Sequence, residues 1–186
     1  MMIYVFLADG FEETEALTTV DILRRGGLEL KTVAVGTENA VVCSSHGIKV
    51  VADIHEKDID KNNLVGIVLP GGMPGTLNLE KSAVVSEYLT YCYDHNLIIG
   101  AICAAPSVLG KRGVLDGKKA TCFPGFEKFL SKSDCNGDFA VTDGNIVTGK
   151  GMGATIPFAL QLLELFTDKQ KTQEVFSSLQ CPYSYV

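Results

Sequence analysis

Three apolar runs of strand length constrain this chain more than anything else in it: Ile3–Ala8, Val65–Leu69 and Leu97–Ile102. Each is continuous rather than alternating, the pattern of a strand buried on both faces, and such strands belong to parallel sheets covered by helices. Between them the apolar period lengthens to that of a helix. Ala16, Leu17, Val20 and Leu23 recur on one helical face, and Glu12, Glu13 and Glu15 occupy the first turn, where the helix dipole favours anions. Gly26-Gly27 ends that helix. Val84, Val85, Tyr88, Leu89 and Cys92 mark a second, Thr155–Phe166 an apolar third and residues 170–179 a shorter fourth.

Leu30–Val35 reads as another strand. Val41–Cys43 and Ile48–Ala52 read as an antiparallel hairpin, residues 53–63 as a polar loop or short helix, and Ala120–Cys122 as a short strand. Asp143-Gly144 between Phe139–Thr142 and Asn145–Thr148 is a strong hairpin turn signal. Strands alternating with helices predict an α/β chain with a mostly parallel sheet and helices on both faces. Its 186 residues fit one domain, 1–186, against a typical ~150.

Composition removes several function classes. Hydrophobic residues at 46% and charged ones at 20% exclude a disordered chain. A net charge of −6 argues against a nucleic-acid surface, and no apolar stretch approaches the ~20 residues of a membrane span. Met1–Ala8 lacks the basic region of a secretory signal. The six cysteines contain no Cys-x-x-Cys spacing, which disfavours zinc ribbons, thioredoxin-type redox pairs and iron–sulfur clusters. The expectation is a cytoplasmic protein with reduced thiols, no metal and no cofactor.

Open α/β sheets place their sites at the carboxyl ends of the strands. That rule selects Asp9–Glu15, Pro70–Gly75 and Cys103–Pro106. In Ala101-Ile102-Cys103-Ala104-Ala105 the small residues two positions either side of the cysteine meet the steric demand of a nucleophile elbow. A helix beginning there, with Pro106 in its first turn, favours thiolate over thiol. Equally, Cys103 could be an inert cysteine at a strand end. The glycines of Pro70-Gly71-Gly72-Met73-Pro74-Gly75 allow backbone amides to approach a bound oxygen, or else they make an ordinary strand-to-helix turn. The segment is not a Walker loop, and no Gly-x-Gly-x-x-Gly follows the first strand. Glu15 stands out among its neighbours because it adjoins the apolar helical face. A carboxyl half-buried there would have a raised pKa and could hydrogen-bond a nearby sulfur. His46, His55 and His95 lie in polar segments and read as surface residues.

Taken in order, Phe6-Leu7-Ala8-Asp9-Gly10-Phe11-Glu12-Glu13-Thr14-Glu15, Leu69-Pro70-Gly71-Gly72 and Ala101-Ile102-Cys103-Ala104-Ala105-Pro106 resemble the ThiJ/PfpI superfamily, in the branch of the Parkinson-associated protein deglycase. The resemblance extends from residue 2 to about 167. It implies a flavodoxin-like sandwich that forms a homodimer. It makes Cys103 the nucleophilic, easily oxidised thiol and Glu15 the acid that hydrogen-bonds it. Gly71 and Gly72 with Ala104 would form the oxyanion pocket. The activity implied is that of a glutathione-independent glyoxalase or protein deglycase, acting on a small aldehyde such as methylglyoxal or on a glycated protein. The alternative is a redox-sensing or chaperone-like stress protein with little catalysis. Three positions depart from the family's patterns. Ala104 replaces the histidine of peptidase-like relatives, so proteolysis is disfavoured. Phe123 stands where some deglycase-branch members place a histidine before the residue corresponding to Pro124, and Ser45 where some supply an arginine. Cys122, one residue before Phe123, could line the substrate region or simply pack.

Overall fold

A computed structural model describes residues 1–182 of the chain; residues 183–186 of the expected domain lie outside them. Alternate side chains of β1 (Met2–Ala8) enter two different cores. Ile3, Val5 and Leu7 join one, and Tyr4, Phe6 and Ala8 the other. This is why its hydrophobicity is continuous: a strand in the middle of a two-faced layer has no solvent side.

In chain order, β1 leads to α1 (Glu13–Arg25) and β2 (Leu30–Val35), then to the hairpin of β3 (Val41–Cys43) and β4 (Lys49–Val51). A short β5 (Ile54–His55) precedes β6 (Leu64–Leu69), α2 (Gly75–Lys81), α3 (Ala83–Asp94) and β7 (Ile98–Ile102). After α4 (Pro106–Gly110) come β8 (Lys119–Ala120), β9 (Asp134–Cys135), β10 (Ala140–Asp143), β11 (Ile146–Gly149), α5 (Thr155–Phe166) and α6 (Lys169–Ser178). The central sheet runs β10-β11-β7-β6-β1-β2-β5, with every neighbouring pair parallel except β10 and β11. Because β2 lies on one side of β1 and β6 on the other, the sheet is doubly wound. Its strands β2-β1-β6-β7-β11 follow the flavodoxin-like order.

On one face Ala16, Val20 and Leu23 of α1, Phe158 and Leu162 of α5, and Val175 and Phe176 of α6 close the core. Leu79 of α2, Val85 and Leu89 of α3, and Val108 and Leu109 of α4 close the other. Each fully buried leucine or phenylalanine contributes about 1.5–3 kcal/mol of transfer free energy to holding the layers together.

Three local expectations are corrected and one helix is added. Leu17 is 39% exposed, because the buried stripe of α1 runs through Ala16, Thr19, Val20 and Leu23. Thr19 joins that stripe by donating its hydroxyl to the Glu15 carbonyl at 2.7 Å. Residues 53–63 contain an edge strand, docked where Asp53 Oδ2 accepts from the amide and hydroxyl of Thr32, both at 2.8 Å. An additional helix, α2, which the apolar pattern does not mark, follows the strand-to-helix turn of the glycine-rich loop. The strand expected over Ala120–Cys122 ends at Ala120, because the Thr121 amide turns away to Thr148 Oγ1 at 2.9 Å.

Candidate active site

Cys103 directly follows β7 with φ 64°, a left-handed conformation that costs a non-glycine residue roughly 1–2 kcal/mol. Two backbone hydrogen bonds hold it there. Its amide donates to the Gly149 carbonyl of β11 at 2.8 Å, and its carbonyl accepts from the Phe123 amide at 2.8 Å. The Ala105 amide closes the turn onto the Ile102 carbonyl at 3.0 Å, and α4 begins only at Pro106. The backbone therefore makes a sharp elbow at Cys103 between β7 and α4, and the thiol is half-buried.

Glu15 reaches this elbow from the first turn of α1. Its position is set by Glu12, the N-cap, whose Oε2 accepts from the Glu15 amide at 2.6 Å. Glu15 is 1% exposed, and its Oε2 accepts from the Gly71 amide at 2.9 Å. Its Oε1 is buried without a nitrogen or oxygen partner, and the Cys103 thiol lies against the carboxyl. Burial pushes Glu15 up to about 7, against the Cys103 thiol and the Gly71 amide, which lower it; the Glu12 charge adds a further rise. Both forms are consequently accessible near neutrality.

The thiol behaves differently from the helix-terminus expectation. Burial pushes Cys103 up to about 12, and the neighbouring Glu15 charge adds to the rise. The backbone amides of Gly72 and Ala104 act in the opposite direction by hydrogen-bonding the sulfur. At rest beside an ionised Glu15 the sulfur carries its proton. Protonating Glu15 removes one of the two largest influences against the thiolate.

Two glycines make this approach possible. A Cβ on Gly71 would stand 2.5 Å from Cys103 Cβ and 2.7 Å from Glu15 Oε2, so any side chain there would separate thiol and carboxyl. Gly72 has φ 92°, and a Cβ on it would meet the Glu12 amide nitrogen at 2.4 Å and the Gly10 carbonyl at 2.5 Å. The loop after β6 is thus pressed against the loop after β1, and the Glu12 amide donates across to the Gly71 carbonyl at 2.9 Å. The structure brings together Cys103, Glu15, Gly71, Gly72 and Ala104.

Cys122 sits apart from that cluster. It is 3% exposed and belongs to the core between the sheet and α3 and α4; its thiol is pushed up to about 12 by burial and then by Cys135. Packing describes its surroundings better than an open pocket wall does. Phe123 is 47% exposed and, with Phe139, Lys150 and Met152, lines a cavity of about 300 Å³. A second cavity, of about 460 Å³ between Asp9, Gly36, Asn78 and Lys81, does not include the thiol either. His46 stands largely in solvent and pairs with Glu13 at 2.9 Å; His55 bonds the Thr37 carbonyl and His95 stacks on Tyr91. Glu12, Glu13 and His46 are close enough to share a cation, but Glu12 caps α1 and His46 is exposed, so the cluster is explained without one.

Two contributors escaped the sequence: the Gly149 carbonyl and the Phe123 amide that clamp the elbow. Both are backbone groups: any residue at 149 supplies the carbonyl, and any but proline at 123 supplies the amide.

The model of the DJ-1/PfpI family matches residues 1–165. The chain belongs to the DJ-1/PfpI family. It is 34% identical over 182 residues to protein dj-1beta of Drosophila melanogaster, covering 97% of each chain. It is 32% identical over 170 residues to the glutathione-independent glyoxalase DJR-1.2 of Caenorhabditis elegans, covering 90% of this chain and 89% of that one. The oxidized DJ-1 of Toxoplasma gondii superposes with a TM-score of 0.93 at 31% identity, over 98% of this chain and 99% of the other. The DJ-1/PfpI fold thus accounts for the sheet order and for the layered helices.

Proposed function

We propose that this chain is a cofactor-independent cysteine enzyme acting on reactive aldehydes in the glyoxalase or deglycase manner, converting methylglyoxal to lactate. The observation that carries the reading is the buried Glu15, poised at about 7 beside a thiol to which two backbone amides point. The glyoxalase name of the Caenorhabditis elegans relative supports the same chemistry.

In this mechanism the Cys103 sulfur adds to the aldehyde carbon. An S–C bond forms, the carbonyl pair moves to oxygen, and the thiol proton passes to the Glu15 carboxylate. The amides of Gly72 and Ala104 are the donors for the oxyanion. Glu15 returns the proton to that oxygen, giving a hemithioacetal. Again a carboxylate, it removes the C1 hydrogen as a proton; the electron pair shifts through an enediol, and C2 is protonated to leave a lactoyl thioester. One water then cleaves the C–S bond, releasing lactate and the thiol. A glycated protein, whose adduct contains the same carbonyl-derived carbon, is the larger substrate of this reading. Ala104 in place of a histidine argues against peptidase action.

The test is lactate formation from methylglyoxal by purified protein and by its Cys103→Ala variant. Turnover that depends on Cys103 supports the reading; no turnover, or turnover that survives the substitution, overturns it.

A second reading rests on the same raised Glu15. As the neutral acid it can donate a hydrogen bond to a sulfinate on Cys103, which suits a redox-responsive or chaperone-like stress protein. A homodimer belongs to either reading. Val41 and Val51, paired across β3 and β4, are 41% and 74% exposed, which favours a partner over that hairpin.

A further inference from the structure

Two cysteines meet away from Cys103, at a place that neither reading uses. β8 and β9 form a small parallel sheet of their own, in which Ala120 stands opposite Cys135. Backbone hydrogen bonds close it on both sides. The Gly117 amide donates to the Lys132 carbonyl at 2.8 Å, the Asp134 amide to the Lys118 carbonyl at 2.9 Å and the Asn136 amide to the Ala120 carbonyl at 3.3 Å. Ala120 and Cys122 lie in the same core, and Cys135 packs against that core from the neighbouring strand. The Cys135 thiol lies against that of Cys122, within hydrogen-bonding reach, and both are free.

The two sulfurs differ in access. Cys122 is 3% exposed, and burial is the main reason its thiol stays protonated. Cys135 is half-buried, in a stretch whose neighbours Asp134, Asn136, Gly137 and Asp138 are exposed. Packing explains a cysteine at 122. It does not call for a second thiol, open to a small reagent, placed against the first.

We propose that Cys135 and Cys122 are a redox-active dithiol that a hydroperoxide closes to a disulfide. The Cys135 sulfur attacks one peroxide oxygen, an S–O bond forms as the O–O bond breaks, and the thiol proton goes to the departing oxygen as water or an alcohol. The Cys122 sulfur then attacks the sulfur of this sulfenic acid. An S–S bond forms, the S–O bond breaks, and the Cys122 proton leaves with the hydroxide as water. Two thiols are oxidised for one peroxide reduced, and exchange with a reducing dithiol restores them. The bond closes a ring over residues 122–135, which starts one residue before Phe123, whose amide holds the Cys103 carbonyl. The pair thus sits on the support of the elbow, although its chemistry owes nothing to the aldehyde reading.

The test is mild hydrogen peroxide treatment, blocking of the remaining thiols, and tryptic mass spectrometry without reduction. Lys128 and Lys132 lie between the two cysteines, so cleavage separates residues 120–128 from 133–150 unless a disulfide joins them. The joined peptide, lighter than its parts by two hydrogens and split by dithiothreitol, is expected in the wild type and equally in Cys103→Ala. Cys135→Ser, a change at a half-exposed position, should abolish it and leave Cys122 open to alkylation after denaturation. In Cys122→Ala, Cys135 should gain oxygen instead. The proposal is overturned if Cys122 and Cys135 both stay reduced while Cys103 is oxidised, or if either pairs with Cys103. A joined peptide that vanishes in Cys103→Ala, or a Cys135 that links only two copies of the chain, overturns it as well.

Discussion

Glu15 Oε2 and Cys103 Cβ converge on the single point where a side chain of Gly71 would begin, lying 2.7 and 2.5 Å from it. Carboxyl and thiol come from the connections that follow β1 and β7, so their meeting depends on a residue with no side chain between them.

Gly71→Ala is therefore expected to cost at least about 100-fold in kcat/KM on methylglyoxal, since displacing reacting groups by about 1 Å has that scale of effect. The folded fraction should survive, because the loop can retreat. Steady-state kinetics with a circular-dichroism control measures both.

Glu15 has its carboxyl raised from 4.5 to about 7 on folding. The native state thus holds a proton that the unfolded chain has released between those values, and stability falls as pH rises through this window. At about 1.4 kcal/mol per pKa unit the loss is on the order of 3 kcal/mol by pH 8. Glu15→Gln should flatten that dependence. Denaturant unfolding at pH 5 and pH 8 measures it, and a wild type more stable at the higher pH would contradict the assignment.

If the Glu15 carboxylate is the base, kcat/KM on methylglyoxal should rise with pH through about 7. Glu15→Gln should lose both that limb and about 100-fold or more in rate.

Cys103→Gly should be more stable than Cys103→Ala by about 1 kcal/mol, because only glycine adopts φ 64° without strain. Equal stabilities in chemical denaturation would show that the elbow is not strained.

Much of this fold was legible because its strands are two-faced: Ile3–Ala8, Val65–Leu69 and Leu97–Ile102 must be buried whatever surrounds them. The family resemblance named Cys103, Glu15 and the Gly-Gly loop, and their convergence is seen in three dimensions. What remained illegible had physical causes. Leu17 was misplaced because Thr19, a polar residue, occupies the buried stripe by bonding its own helix. The edge strand at Ile54 depends on Asp53 reaching Thr32, a contact between residues 21 positions apart. The protonated resting thiol follows from burial and from a carboxylate that arrives on another element, neither of which the local motif expresses.

The clamp on Cys103 has one further consequence. With its amide held by Gly149 and its carbonyl by Phe123, the residue cannot swing without losing both bonds at once. The Cα that carries the sulfur is therefore held in place, like the fixed jaw of a vice. Adaptation to molecules of different shape falls to the opposing jaw, the side chains that follow those two anchoring residues, and evolution can recut that jaw without disturbing the chemistry.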